Sequence, residues 1–173
     1  MRRRFYKVYL LTVLIALLSG CSSFVAKKQI PPGNLYSNLP DFAVEKNAGL
    51  DDVSLAAMSL IGTPYRWGGN TPQTGFDCSG LVVYVIKNTR QKNVPRTTSE
   101  LGKYGQSLAL ESPAPGDLVF FNTLGESHSH VGIYVGQGRF VHAPTTGGTV
   151  RIEEIKNSYW APRYTEARRV ITP

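Results

Sequence analysis

Cysteine is scarce in this chain: Cys21 and Cys78 are the only two among 173 residues. At most one disulfide is available, so a cross-linked scaffold is excluded. Histidine is scarce too, with only His128, His130 and His142. No close Cys/His cluster completes a structural zinc pattern. No run reaches the ~20 apolar residues that a membrane-spanning helix needs. Repeats and low-complexity tracts are missing. Formal charge is +7, yet no stripe of interleaved basic and aromatic residues is present, so nucleic acid is not an expected partner. What is there is globular: 42% hydrophobic and 18% charged residues, in a length suited to one domain plus extra segments.

The extra segments lie at the N-terminus. Arg2, Arg3, Arg4 and Lys7 precede an apolar run, Val8 to Leu18, broken only by Thr12. This reads as a secretory signal over residues 1–20, with a short membrane helix or a buried core helix as alternatives. Removing it takes away four basic residues and leaves 15 basic against 12 acidic, or +3. Leu18-Ser19-Gly20-Cys21 resembles the lipobox of bacterial lipoproteins. That resemblance implies lipidation at Cys21, and two or three acyl chains anchor stably at about 0.8 kcal/mol per buried methylene. Ser22 rather than Asp after the cysteine implies the periplasmic face of the outer membrane in a Gram-negative source. Cys78 is then an unpaired thiol in an oxidising compartment, which calls for an explanation. A small buried hydrophobe is the bland one.

Residues 21–50, with Pro31, Pro32, Gly33 and Pro40, read as a tether. A domain over 51–173 follows. Asp51 caps a predicted helix whose apolar face is Val53, Ala56, Ala57 and Leu60, ended by Gly62. Tyr65 to Gly75 reads as a loop. Asp77 stands at an N-cap, and Leu81, Val82, Val85 and Ile86 continue with helical spacing; their β-branched content also allows a strand. A short helix within 95–104 and a turn at 113–116 come next. Strands are predicted at 117–121, 130–135, 139–143, 149–153 and 164–171. Helices first and hairpin-linked strands after indicate an α+β domain with an antiparallel sheet.

Cys78 thus falls at a helix start, where the dipole and free N–H groups favour a thiolate. Ser79 and Gly80 are small and leave the sulfur accessible. A nucleophile needs a group to take and return its proton. A three-residue loop, Gly136-Gln137-Gly138, places Gly132 opposite His142 and makes His130 its diagonal neighbour on one sheet face. A two-residue Gln137-Gly138 loop turns His142 to the other face unless a bulge intervenes. In this register His130 is the base and His142 orients it. His128 sits in a Ser-rich loop two residues earlier. A metal site of Cys78, His128, His130 and His142 is the competing arrangement.

Several motifs appear in order: Gly62-Thr63-Pro64-Tyr65-Arg66-Trp67-Gly68-Gly69, Asp77-Cys78-Ser79-Gly80, Pro95-Arg96-Thr97-Thr98-Ser99, Pro115-Gly116-Asp117-Leu118-Val119-Phe120-Phe121, His130-Val131-Gly132-Ile133-Tyr134 and Phe140-Val141-His142-Ala143. Together, across residues 52–171, they resemble the NlpC family of cell-wall cysteine peptidases. The resemblance implies a papain-like α+β fold, with a nucleophile helix packed on a central antiparallel sheet. It implies Cys78 as nucleophile, His130 as base, His142 as orienting residue and Tyr65 as oxyanion support. Asp77 reads as a helix cap or substrate contact, Arg96 as a carboxylate-binding fork or an ion pair, and Trp67 as groove lining or loop packing. Ser79 joins this tentative substrate-binding set. The implied substrates are peptidoglycan stem peptides, cut at γ-D-glutamyl–diamino acid or at the D-alanyl–diaminopimelate cross-link. No metal or cofactor is implied, and a monomer is expected. An amidase or acyltransferase on the same scaffold, and a non-catalytic wall-binding lipoprotein, are the alternative functions.

Overall fold

The computed structural model describes residues 51–108 and 113–170. The predicted signal, the lipidated Cys21 and the tether lie outside the described residues. Helix α1 (Asp52–Ser59) begins where Asp51 accepts a hydrogen bond from the Ser54 N–H at 2.8 Å. Gly62, at φ 91°, follows its last turn. Two short strands, β1 (Asn70–Thr71) and β2 (Gly75–Phe76), form a small ladder inside the predicted loop. Helix α2 (Cys78–Arg90) starts immediately after it and α3 (Thr98–Leu101) follows. The helical reading of residues 78–86 is therefore the observed one.

The remaining chain forms β3 (Gln106–Leu108), β4 (Leu118–Phe121), β5 (His130–Gly136), β6 (Arg139–His142), β7 (Arg151–Glu154) and β8 (Tyr164–Arg169). They pair antiparallel in the order β3-β8-β4-β5-β6-β7. Strand β3 was not predicted; Gln106-Ser107-Leu108 is short, mostly exposed and lacks an apolar alternation to read.

Both sheet faces are covered over the centre. Leu118, Phe120, Val131, Ile133, Val135 and Val141 pack with Val53, Ala57, Met58, Leu81, Val82, Val85 and Ile86 of the two long helices. Val119, Phe121, Phe140 and Ala167 pack on the other face with Trp160, which precedes a 3-10 turn (Ala161–Arg163). Two-sided coverage explains why Leu118-Val119-Phe120-Phe121 is an unbroken apolar run, buried throughout, rather than an alternating one.

The β5–β6 hairpin corrects one expectation and reaches the same register another way. Gly136 pairs with Arg139, so the loop is the two residues Gln137 and Gly138, at φ 54° and 72°. Two positive φ values suit a tight hairpin turn that follows the strand twist. A register shift between Tyr134 and Gly136 absorbs one extra residue, and Gly136 sits at φ 90°. Beyond this bulge Ile133 pairs with Val141, which leaves Gly132 level with His142.

Candidate active site

The Cys78 side is built from a loop, a cap and a helix start. Pro64 to Arg66 runs beside β2 through Phe76 N–H to the Pro64 carbonyl (3.0 Å) and Arg66 N–H to the Phe76 carbonyl (2.9 Å). This places Tyr65 next to the start of α2. Asp77 accepts from the Gly80 N–H at 2.7 Å, the cap bond, and from the Gly68 N–H at 2.9 Å. Its carboxylate also accepts from both terminal nitrogens of Arg96, at 2.8 and 3.0 Å. Burial pushes the Asp77 carboxyl up, but Arg96 and these N–H groups outweigh it and hold the pKa below its ordinary value.

This network shows where the residues of the candidate substrate-binding set lie. Arg96 is committed to an ion pair with Asp77, and it donates to the Ser79 hydroxyl at 2.8 Å. Ser79 is buried within the network. The Arg96 side chain remains 39% exposed beside this network. Gly80 has a role other than exposing the sulfur: a Cβ there would collide with the Gly69 carbonyl. The bare backbone lets the loop close on the helix. Trp67 does not pack the loop, being 85% exposed at its rim.

Cys78 is a free, half-buried thiol. Its Sγ lies 3.7 Å from the Thr98 hydroxyl at the start of α3. The Val131 and Ser79 backbone N–H groups are close enough to lower its pKa. The Val131 contact puts the sulfur at the end of β5, one residue from His130. Burial nonetheless pushes the thiol pKa above its ordinary value, and Asp77 adds to the rise, against the lowering by Thr98, Val131 and Ser79. The expected helix-start thiolate is thus reversed in the resting protein: desolvation exceeds the N–H contacts. Tyr65 is also raised, by burial first and then by the nearby Cys78 and Asp77, so it stays a hydroxyl donor at neutral pH.

On the sheet side, His130 Nε2 and His142 Nδ1 are 2.8 Å apart, with the rings at 89°. Burial pushes His130 down to about 4 and, with His130 and Arg151 nearby, His142 down to about 2. Both imidazoles are neutral at pH 7. Since Nε2 of His130 is engaged with His142, proton exchange falls to its Nδ1. Gly132 makes room here, because a Cβ would come within 2.5 Å of the Phe140 ring that abuts His142.

His128 goes elsewhere. At φ 60°, its Nε2 contacts the Glu166 carboxylate and its ring stands edge-on to Phe120, 5.1 Å between centroids. Among the described residues no group of three or more His, Cys, Asp and Glu side chains has an arrangement that holds a metal ion. The four-ligand alternative is not the observed geometry. Two neighbours of the site have no role assigned from the sequence: Thr98, which stands within the motif at 95–99, and Trp160. Trp160 lies 5.4 Å from His130 and 4.9 Å from His142 between ring centroids. Its sequence neighbours, Tyr159 and Ala161, carry no spacing signal that points to a site.

A cysteine at the start of a helix packed on an antiparallel sheet, with a histidine pair on adjacent strands, defines the papain-like class of α+β proteins. The class narrows further. A sequence profile of the NlpC/P60 family matches residues 62–169. Murein DD-endopeptidase MepH of Escherichia coli (strain K12) is 46% identical over 119 residues, 67% of this chain and 44% of that protein. The probable endopeptidase NlpC of the same organism is 38% identical over 162 residues, 93% of this chain and 97% of that protein. A crystal structure of an NlpC/P60 family protein from Bacillus cereus ATCC 10987 superposes with a TM-score of 0.65 at 30% identity, covering 70% of this chain and 40% of that one. The chain belongs to the NlpC/P60 family. It spans less than half the length of several curated relatives, MepH included.

Proposed function

We propose that the protein is a peptidoglycan endopeptidase that cuts stem-peptide amide bonds with Cys78, His130 and His142, and that Cys21 anchors it to a membrane by lipid. The observation that carries the catalytic reading is the buried His130–His142 pair, Nε2 to Nδ1 at 2.8 Å, on the sheet against which Cys78 and its helix pack. The names of the relatives support the substrate class. The lipobox-like Leu18-Ser19-Gly20-Cys21 supports the anchor, with the periplasmic face of the outer membrane as its place in a Gram-negative cell.

The resting thiol and imidazole are both neutral, so the proton moves as the sulfur attacks. Sγ bonds to the carbonyl carbon while His130 Nδ1 takes the thiol proton. The Cys78 N–H, at a helix start without an intrahelical acceptor, and the Tyr65 hydroxyl receive the developing oxyanion. His130 returns the proton to the leaving amine as the C–N bond breaks. Water then attacks the thioester, His130 takes a proton from it, and the sulfur leaves as thiol with the carboxylic acid released.

Two bonds fall within this reading: γ-D-glutamyl–diamino acid and D-alanyl–diaminopimelate. Digestion of purified muropeptides by the full chain in detergent, followed by mass spectrometry, distinguishes them by fragment mass. No cleavage under reducing conditions across a broad pH range would overturn the enzyme in favour of a wall-binding lipoprotein. The anchor is tested by the mass of the N-terminal peptide: an unmodified Cys21 would overturn it.

A further inference from the structure

The two histidines leave an electrostatic gap. When His130 takes a proton it becomes a cation in a buried place, and its partner His142 is neutral and fully buried. An aspartate in that position would compensate the charge; an imidazole supplies only a lone pair. His142 Nε2 is itself buried without a hydrogen-bond partner. For His130 to accept at Nδ1, its Nε2 must donate to His142 Nδ1, which places the His142 proton on that orphaned Nε2. The hydrogen bond strengthens when His130 is charged, but it supplies no counter-charge and does not by itself select the tautomer.

The group that faces both rings is an indole. Trp160 is 6% exposed and stacks on His130 with 25° between planes and 5.4 Å between centroids. It stands at 86° to His142, 4.9 Å away. Phe121 and Phe140 lock the indole at 4.8 and 5.2 Å. Its backbone is fixed as well: Trp160 N–H donates to the Asn157 carbonyl, and the Trp160 carbonyl accepts from Arg163 and Tyr164, each at 3.0 Å. A packing residue needs only volume. This one holds a stacked geometry on one imidazole and a perpendicular geometry on the other.

We infer that Trp160 is a positioning residue for the His130–His142 pair, its π face stabilising the imidazolium formed at His130 and its perpendicular contact holding His142 in register. The negative face of the aromatic quadrupole attracts a stacked cation, most strongly for indole and where water is excluded. The inference rests on His130 acting as the base. The charged or titratable groups around the pair are Cys78 from α2, with Tyr65 and Asp77 beyond it, and His142 from β6. Arg151 from β7 bears on His142, Arg163 lies over Tyr159 beside Trp160, and His128 is paired with Glu166.

The test compares W160F and W160L in the full chain. Leucine keeps apolar volume and loses the π face; phenylalanine restores a weaker one. Histidine titration by NMR is expected to show the His130 pKa lowered by about half a unit to one unit in W160L, with W160F between it and wild type. On muropeptides, kcat is expected to fall on the order of tenfold in W160L with KM little changed, and to recover partly in W160F. A folded W160L with wild-type titration and kcat would overturn the inference and leave Trp160 as core packing. If W160L does not fold, W67F leaves Trp160 as the sole tryptophan, and its fluorescence is expected to be quenched as His130 protonates. No quenching step before unfolding would equally overturn it. The titrations need no turnover, so they stand or fall separately from the peptidase reading.

Discussion

Around Cys78 the chain is polar and cross-linked by hydrogen bonds; around His130 it is aromatic and nearly dry. The nucleophile side hangs on one carboxylate, with Asp77 joining the Gly68 loop, the first turn of α2 and Arg96. The base side hangs on ring contacts among Phe121, Phe140, Trp160 and the two histidines. A hydrogen-bonded network fixes direction and tolerates water at its rim. A ring cluster fixes planes and excludes water, which is why both histidine pKa values fall so far. The candidate site thus holds Cys78 with charges and His130 with rings.

The comparison breaks most completely when the sulfur is removed. Cys78→Ala is expected to lower kcat by on the order of 10⁴-fold or more, with the fold and peptidoglycan binding retained. Muropeptide turnover and a thermal melt measured on the same sample check both halves. The next effect comes from acid, on the aromatic side. His130 titrates near 6.5 unfolded and about 4 folded, so the unfolded chain binds its proton first as pH falls. Stability from this group is complete above about 6.5 and drains away as pH falls toward 4, by on the order of 3 kcal/mol. Urea unfolding at pH 7 and pH 4.5 should show the loss, and His130→Phe should reduce it. The same titration sets the acid limb of kcat/KM well below an ordinary histidine, near 4 in any range where the fold persists.

The contrast between the sides also explains what could be read from the residues alone. The polar side is local: Asp77 and Cys78 are adjacent, and a cap at a helix start is legible from Asp followed by an apolar 3.6-residue period. The histidine pair was legible through strand alternation, and only on condition of an odd loop or bulge. The bulge met that condition, although the loop has two residues. Trp160 was illegible because it reaches the histidines from an irregular turn before β8, where no period relates sequence to face. The neutral resting state was missed for a related reason. A helix start signals N–H donors, but the burial that outweighs them comes from the sheet packed across the sulfur.

A smaller effect belongs to the polar side. Asp77→Ala removes the cap bond and leaves Arg96 without its partner. Arg96 is 39% exposed in its side chain, so water takes over part of its solvation. The expected loss is about 2 kcal/mol of stability, smaller than a fully buried pair would give. Because the Gly68 loop loses its tie, Tyr65 loosens and kcat should fall further than stability alone explains. Asp77→Asn, which keeps a capping oxygen, should restore most of the stability and less of the rate. Equal recovery of both would show that the network supports the fold and does not set the position of Tyr65.

The smallest expected effect sharpens the comparison at its seam, where Thr98 touches the sulfur. Its hydroxyl is the largest influence lowering the thiol pKa against burial. Thr98→Val keeps the shape and removes the hydroxyl, so the thiol should titrate still higher. In the proposed mechanism the thiol gives its proton to His130, so a thiol that holds its proton more tightly slows attack. A fall in kcat/KM of about threefold to tenfold is expected, the worth of one neutral hydrogen bond. The rate of iodoacetamide alkylation against pH reads the thiol directly, and its midpoint should move to higher pH in the valine variant. An unmoved midpoint would mean that Thr98 only packs against the sulfur. The Ser79 and Val131 N–H groups would then be left to oppose desolvation.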